Sequence, residues 1–168
     1  VQTCALPIYS EAAAEITIQP LRRYAMDGAI LFSDILIVPH ALGQDLQFLA
    51  GEGPHLSPRL VDAALSSLQP APHHFAPVWE TVRLTRAALP EGVTMLGFIG
   101  SPWTVATYMV AGEGSRDQHE TRAMAYRDPG AFAAIIEAID SWSDRQGDVR
   151  SRSRRRISID WRHHGRSI

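Results

Sequence analysis

One carboxylate is out of keeping with its neighbours. Asp34 lies within Ile30-Leu31-Phe32-Ser33-Asp34-Ile35-Leu36-Ile37-Val38, where seven of the other eight residues are large and apolar. A charge in such a run is expected to be at least partly buried, and a buried charge needs a partner or a purpose. Two roles fit. Asp34 can be a functional group just beyond a strand, where α/β proteins place their chemistry. Alternatively, Ser33 or Asp34 can cap the following helix. A second stretch, Gly97-Phe98-Ile99-Gly100-Ser101-Pro102-Trp103-Thr104, runs from a strand through glycines into a helix N-terminus. Backbone N–H groups in that setting can hold an anion, a carboxylate substrate included. The spacing is not G-x-G-x-x-G, so a dinucleotide site is not indicated, and a tight strand-to-helix turn accounts for the same glycines. Third, Tyr108 falls on the helix after that turn. Its hydroxyl can orient a carboxylate by donating to it, or its ring can fill the core.

Other residue types narrow the chemistry by exclusion. All sixteen basic residues are Arg, which rules out a Schiff-base, P-loop or kinase-type lysine. The histidine pairs His73-His74 and His163-His164 lack metal-ligand spacing and no thiolate cluster accompanies them, so no metal site is expected. The single cysteine, Cys4, excludes an intramolecular disulfide and points to a reducing compartment. Arg22-Arg23 reads as a solvated helix face. No apolar run of about 18 residues suggests a membrane span, and no secretory leader pattern opens the chain.

The elements that must position these groups follow from pattern and punctuation. With 168 residues, 45% hydrophobic and 20% charged, the chain fits one soluble domain or a piece of one. A helix is expected from Ser10 as N-cap, with Glu11 in its first turn, to about Met26, kinked or restarted at Pro20. A short strand follows over Ala29–Phe32, then a helix over Asp34–Leu42 closed by Gly43. Gln47–Ala50 reads as a short strand and Gly51-Glu52-Gly53-Pro54 as a turn or mobile loop. Residues 59–68 and 75–89 read as helices, Thr94–Ile99 as a strand, and Pro102–Val110 as a helix capped by Ser101. Two more helices, over 117–127 and 130–140, are split by Asp128-Pro129-Gly130. Strand–helix alternation with short links predicts a parallel α/β architecture.

Charge is unevenly distributed. Residues 1–140 carry eight Arg against fifteen acids, whereas residues 141–168 carry eight Arg against three Asp. The second segment, with Ser151-Arg152-Ser153-Arg154-Arg155-Arg156 at its centre, has few apolar residues and no sustained period. It is expected as an Arg-rich disordered or frameshifted tail. A basic nucleic-acid arm is the alternative, although no folded reading module adjoins it. Val1 to Tyr9 has no cap and no clear period and is expected as a non-native or disordered leader.

Four blocks occur in order with consistent spacing: Glu15-Ile16-Thr17-Ile18-Gln19-Pro20-Leu21-Arg22-Arg23-Tyr24, Ala29 to Pro39 with Ala41-Leu42-Gly43, Gly51-Glu52-Gly53-Pro54, and Gly97 to Gly112. Together they closely resemble the uroporphyrinogen decarboxylase family, over about Ser10 to Ile139. The resemblance implies a (β/α)8 barrel of which residues 10–140 form about the N-terminal half. It implies a cytoplasmic homodimer that removes carbon dioxide from the four acetate arms of uroporphyrinogen to give coproporphyrinogen, with no metal and no organic cofactor. It implies that Asp34 accepts hydrogen bonds from pyrrole N–H groups, that Tyr108 lies beside it and contributes to substrate binding, and that Phe98 lines the same cleft.

That chemistry asks for these residue types. Losing carbon dioxide from a pyrrole acetate needs an electron sink, which protonation of the adjacent ring carbon supplies. A fixed carboxylate near the pyrrole N–H groups stabilises the positive charge that develops, and Tyr108 would hold it in place. Departures from the family pattern are equally definite. The Arg-Gln-Ala-Gly-Arg block that opens the family is missing. Asp140-Ser141-Trp142 comes too early for the family's Phe-Asp-Ser-Trp block, and a later substrate-binding histidine is absent. A complete barrel needs about 250 residues and the matching part spans about 130, so two unpaired sheet edges are expected and the isolated chain is expected to be poorly stable and inactive. Three other readings compete. A corrinoid-linked methyltransferase of the same fold would need zinc ligands including Cys. Nucleic-acid binding would use the Arg-rich tail. A degenerate half-enzyme would keep the core but have no use for Asp34.

Overall fold

The structure is a computed structural model that describes residues 9–49, 51 and 53–151, with side chains up to Ser143. Cys4, nearly all of the leader, His163-His164 and the Arg-rich stretch from Arg152 lie outside the described residues.

Helix α1, Ser10–Arg23, buries Ala13, Ala14, Thr17 and Ile18, a single face at the i, i+4 spacing of a helix. Ser10 is not its N-cap. Tyr9 holds that position without a side-chain cap bond, and the Ser10 hydroxyl donates to the Pro77 carbonyl at 2.9 Å. That bond ties α1 to α3, Ala76–Ala88, a tertiary use that displaces the local capping signal. Pro20 stays inside the helix, which closes at Arg23 with the Tyr24 N–H donating to the Pro20 carbonyl at 2.9 Å.

Strands β1, Gly28–Ile30, and β4, Thr94–Leu96, pair in parallel with Ala29 opposite Met95. The Leu31 N–H extends the ladder to the Leu96 carbonyl at 2.8 Å. Side chains alternate across a strand, so Ala29 and Met95 face the helices and are buried, while Ile30 (63% exposed) and Leu96 (41%) leave the other face bare. The chain between the strands holds α2, Ile37–Leu42, which ends on Gly43 in the left-handed region at φ 109°, as its place after the last apolar residue predicts.

Two sequence expectations fail in that crossover. Gly53 and Pro54 do not form a turn. They open β3, Gly53–Ser57, which pairs antiparallel with β2, Asp45–Leu49, so the fold is not purely parallel. Pro54 lacks an N–H and is tolerated because a two-stranded ribbon is all edge. Residues 59–68 do not form a helix either, apart from a 3-10 turn at Leu65–Ser67. The start of this segment and the end of β3 instead donate to the end of α4, Pro102–Ala111. Leu56 N–H donates to the Gly112 carbonyl (2.6 Å), Leu60 to Met109 (2.9 Å) and Val61 to Val110 (3.2 Å). The last carbonyls of a helix have no partner within it, and this segment supplies one.

The core is built around α4, whose Val105, Ala106, Met109 and Val110 are fully buried against Val38 and Ala41 of α2 and Ile135 and Ile139 of α6. Helix α5, His119–Arg127, precedes α6, Pro129–Ser151. The last helix runs past Asp140, where composition predicts no further order, and Trp142 stacks on Phe75 with ring centroids 5.9 Å apart. Among the described residues the fold is mixed α/β, with two two-stranded sheets and no closed barrel.

Ser101 caps α4 as the sequence predicts, its Oγ accepting the Thr104 N–H at 3.3 Å. Ser101→Ala is expected to lower stability by about 1 kcal/mol, read from urea denaturation midpoints, with Ser101→Asp close to the parent.

Candidate functional site

Asp34 lies in the loop between β1 and α2, past the C-terminal end of the strand. Its Oδ1 accepts the Leu36 N–H at 2.8 Å, an Asx turn. It does not cap α2, because that helix begins at Ile37 with Leu36 at the N-cap position. Burial raises the Asp34 carboxyl above the usual carboxylate range, and the Leu36 N–H opposes that only in part. The group is a desolvated carboxyl with one backbone donor and, among the described residues, no cation beside it.

Helix α1 anchors this loop. Phe32 N–H donates to Thr17 Oγ1 at 2.9 Å, and the Thr17 hydroxyl donates to the Ala13 carbonyl at 2.8 Å. Thr17 is buried, so one hydroxyl satisfies two backbone groups out of water's reach. Next to it, Ser33 Oγ is buried with no hydrogen-bond partner among the described residues. A cavity of about 470 Å³ opens here, walled by Ile16, Thr17, Pro20 and Leu21 of α1, by the strand and loop from Gly28 to Ser33, and by Phe98. Its lining is mostly apolar and, among the described residues, contains no cation.

The glycine turn after β4 packs directly on the Asp34 loop. A Cβ at Gly100 would lie 2.9 Å from Ile35 Cβ and 2.8 Å from Val105 Cγ2, closer than real side chains approach. Gly100 therefore permits the contact between the two loops, a reason for glycine distinct from anion binding. Gly100→Ala is expected to cost about 1–3 kcal/mol through overpacking and to move the Asp34 carboxyl titration, as followed by NMR. An unchanged titration would separate the two loops.

Phe98 and the residues just before Asp34 thus share one cavity. Tyr108 is placed differently. It is half-buried against the core, and its hydroxyl lies on the Gly114 side, 3.3 Å from where a Cβ would sit on that glycine. Among the described residues no hydrogen bond joins Tyr108 to Asp34, and Tyr108 does not line the cavity. Arg22 is exposed and paired with Glu15 at 2.6 Å, a solvated helix face. His73-His74 is joined by His40, whose ring centroid is 3.7 Å from that of His74. Burial, with repulsion from His40 and His73, lowers the His74 pKa. No group of three possible metal ligands occurs among the described residues. Pattern reading missed Thr17, the buried Ser33 hydroxyl and the Gly100–Ile35 contact. A helical Thr is ordinary in sequence, and only the fold shows what its hydroxyl meets.

The Uroporphyrinogen decarboxylase (URO-D) family model matches residues 9–145. The chain belongs to the uroporphyrinogen decarboxylase family. Uroporphyrinogen decarboxylase of Novosphingobium aromaticivorans is 70% identical over 135 residues, covering 80% of this chain and 40% of that protein. The enzyme of Rhizorhabdus wittichii is 66% identical over 136 residues, with 80% and 40% covered. That of Erythrobacter litoralis is 68% identical over 130 residues, with 77% and 38% covered. The chain thus spans about two fifths of the length of these relatives. Among solved structures, a methyltransferase from Methanosarcina mazei superposes with a TM-score of 0.62 at 14% identity, over 85% of this chain and 42% of that one. That likeness concerns the fold alone. The family match runs through the Asp34 loop, the glycine turn and α4, and past Asp140 into the segment whose composition predicts a tail. No helix among the described residues is long and apolar enough to cross a membrane.

Proposed function

We propose that this chain is the Asp34-bearing portion of an enzyme that decarboxylates the acetate arms of uroporphyrinogen to give coproporphyrinogen. The observation that carries the reading is the desolvated Asp34 carboxyl past the end of β1, beside an apolar cavity with no cation in its lining. Family membership supports it. An apolar cleft suits a neutral pyrrole ring, and a carboxylate one residue beyond its lining, after Ser33, suits pyrrole N–H donors. A proton adds to the α ring carbon next to the one that bears the acetate arm, and the cationic ring accepts the electron pair as the bond to carbon dioxide breaks, leaving an exocyclic methylene. The arm carbon then takes a proton to become methyl while the ring carbon loses its own. Each arm consumes one proton and releases one carbon dioxide.

In this reading Asp34 stabilises the cationic ring by preorganised charge. Phe98 forms an apolar wall, and Tyr108, whose hydroxyl rests on the Gly114 side, binds substrate only by turning that hydroxyl toward the cavity. No metal or organic cofactor is required. A cytoplasmic homodimer with roughly half of each barrel outside this chain is the assembly that accompanies it. The test is chromatographic measurement of coproporphyrinogen formed anaerobically from uroporphyrinogen by a protein of full family length carrying these residues. Product is expected, with a strong loss in Asp34→Asn. Full activity in that variant would overturn the role of Asp34, and no product from the parent would overturn the reaction.

A further inference from the structure

We infer that the cavity between the first turn of α4 and the start of α5 is a binding site for a carboxylate attached to a flat apolar body. The cavity measures about 610 Å³, and Trp103, Arg116, Asp117, Gln118, Arg122 and Tyr126 line it. The inference does not depend on the decarboxylase reading.

Charge carries the argument. Arg116 and Arg122 are both exposed, and neither takes part in an ion pair among the described residues. Three other arginines are engaged, Arg22 with Glu15, Arg59 with Asp62 and Glu120, and Arg83 with Glu80; what sets Arg116 and Arg122 apart is that both line one cavity. The one acid at the cavity, Asp117, is already used. Its Oδ1 accepts from the Ser115 hydroxyl at 2.9 Å and from the His119 N–H at 3.2 Å. The Ser115 bond foremost, with the His119 N–H, holds its carboxyl below the usual range. Two guanidiniums and one occupied carboxylate leave a net positive site, and guanidinium forks match carboxylate geometry.

The backbone is held in an uncommon shape to form this wall. Gln118 has φ 53°, a left-handed conformation that a non-glycine residue adopts at some cost. Trp103 Nε1–H donates to Gln118 Oε1 at 2.8 Å, and the Gln118 N–H donates to Ser115 Oγ at 3.1 Å. These bonds fix Trp103 against Phe132, 5.5 Å away edge to face, and leave part of the indole open to the cavity. Tyr126 is 87% exposed. An indole and a phenol flanking two free guanidiniums suit a ring that bears carboxylates.

Isothermal titration calorimetry of the 168-residue chain with benzene-1,3,5-tricarboxylate at low salt tests the site, with the uncharged tricarboxamide as control. Saturable binding of the acid alone is expected. Arg116→Gln with Arg122→Gln should weaken it at least about tenfold, with an unchanged denaturation midpoint because both side chains are exposed. Arg122→Lys should retain part of the affinity. No saturable heat from the parent, equal binding of the tricarboxamide, or undiminished binding in the double variant would overturn the site. Displacement of the bound probe by uroporphyrin would assign the carboxylate to a tetrapyrrole arm. A probe that uroporphyrin fails to displace would assign it to a separate small carboxylate.

Discussion

Replacing Asp34 by Asn is expected to stabilise the fold at neutral pH while removing its proposed chemistry. The Asp34 carboxyl is held above the usual carboxylate range, chiefly by desolvation. The folded state therefore binds this proton more tightly than the unfolded state. Its contribution to stability is fully present below the ordinary carboxylate range and is lost as pH rises through the raised value. Once pH has risen past that raised value, the charged form is partly buried and its desolvation cost is carried. Asn has no charge to desolvate and keeps an oxygen to accept the Leu36 N–H. The variant is expected to gain about 0.5–2 kcal/mol at pH 7, and the gain should shrink as pH falls toward the ordinary carboxylate range. In a protein of full family length the same change should lower turnover about 100- to 1,000-fold. Opposite movements in stability and activity mark a group kept for function. Urea denaturation of both forms across that pH range measures the first effect. A variant less stable than the parent at pH 7 would show that the carboxylate is structural.

Gly43→Ala is expected to prevent folding. Gly43 has φ 109°, and a Cβ there would lie 2.4 Å from the Gln69 carbonyl oxygen and 2.7 Å from the Gln69 nitrogen. Both are backbone atoms and cannot rotate aside. Gly43 also fixes its neighbour. The Gln44 side chain is buried, donating from Nε2 to the Pro58 carbonyl at 2.7 Å and to the Met109 carbonyl at 3.1 Å. Moving Gly43 would pull that amide away from the end of α4 and the centre of the core. The combined cost is expected to exceed about 4 kcal/mol, the range of core overpacking added to a forced left-handed residue. Gly92→Ala is the matched control. Gly92 also has positive φ, 88°, but nothing lies within 4 Å of its added Cβ. It should cost only about 1 kcal/mol. Soluble yield and circular dichroism of the two variants test the contrast, and a folded Gly43→Ala chain would remove the backbone clash from the account.

Some features of the site were legible as residue pattern. An acid among large apolar residues predicts a desolvated carboxyl, because nothing nearby in the chain can hydrate or pair it. Glycine followed by Ser-Pro predicts a strand-to-helix turn with a capped helix, and Ser101 caps α4. Gly43 after an apolar run predicts a left-handed close, and it provides one. Each of these signals is local, acting within a few residues where sequence and geometry are directly linked.

The failures share the opposite property. Ser10 has the chemistry of a cap but bonds to Pro77. Residues 59–68 have a helical spread of apolar side chains, but Leu60 and Val61 give their N–H groups to α4. Gly53-Pro54 has turn composition but enters a ribbon, paired with Leu49 and Phe48 four and six residues back in the chain. Trp142 stands in a polar, Arg-rich stretch but stacks on Phe75 and carries the helix onward. Ile35 and Gly100 could not be linked from sequence, since their contact depends on parallel pairing of strands more than sixty positions apart. Sequence alone therefore determined which residues have unusual chemistry and where the short-range turns and caps fall. Tertiary structure decided which backbone groups satisfy one another and which loops touch. It also turned Tyr108 toward Gly114 and gathered Arg116 and Arg122 around Trp103. The physical reason is that buried hydrogen bonds and packing are satisfied by whatever the fold brings near, and chain distance does not limit that choice.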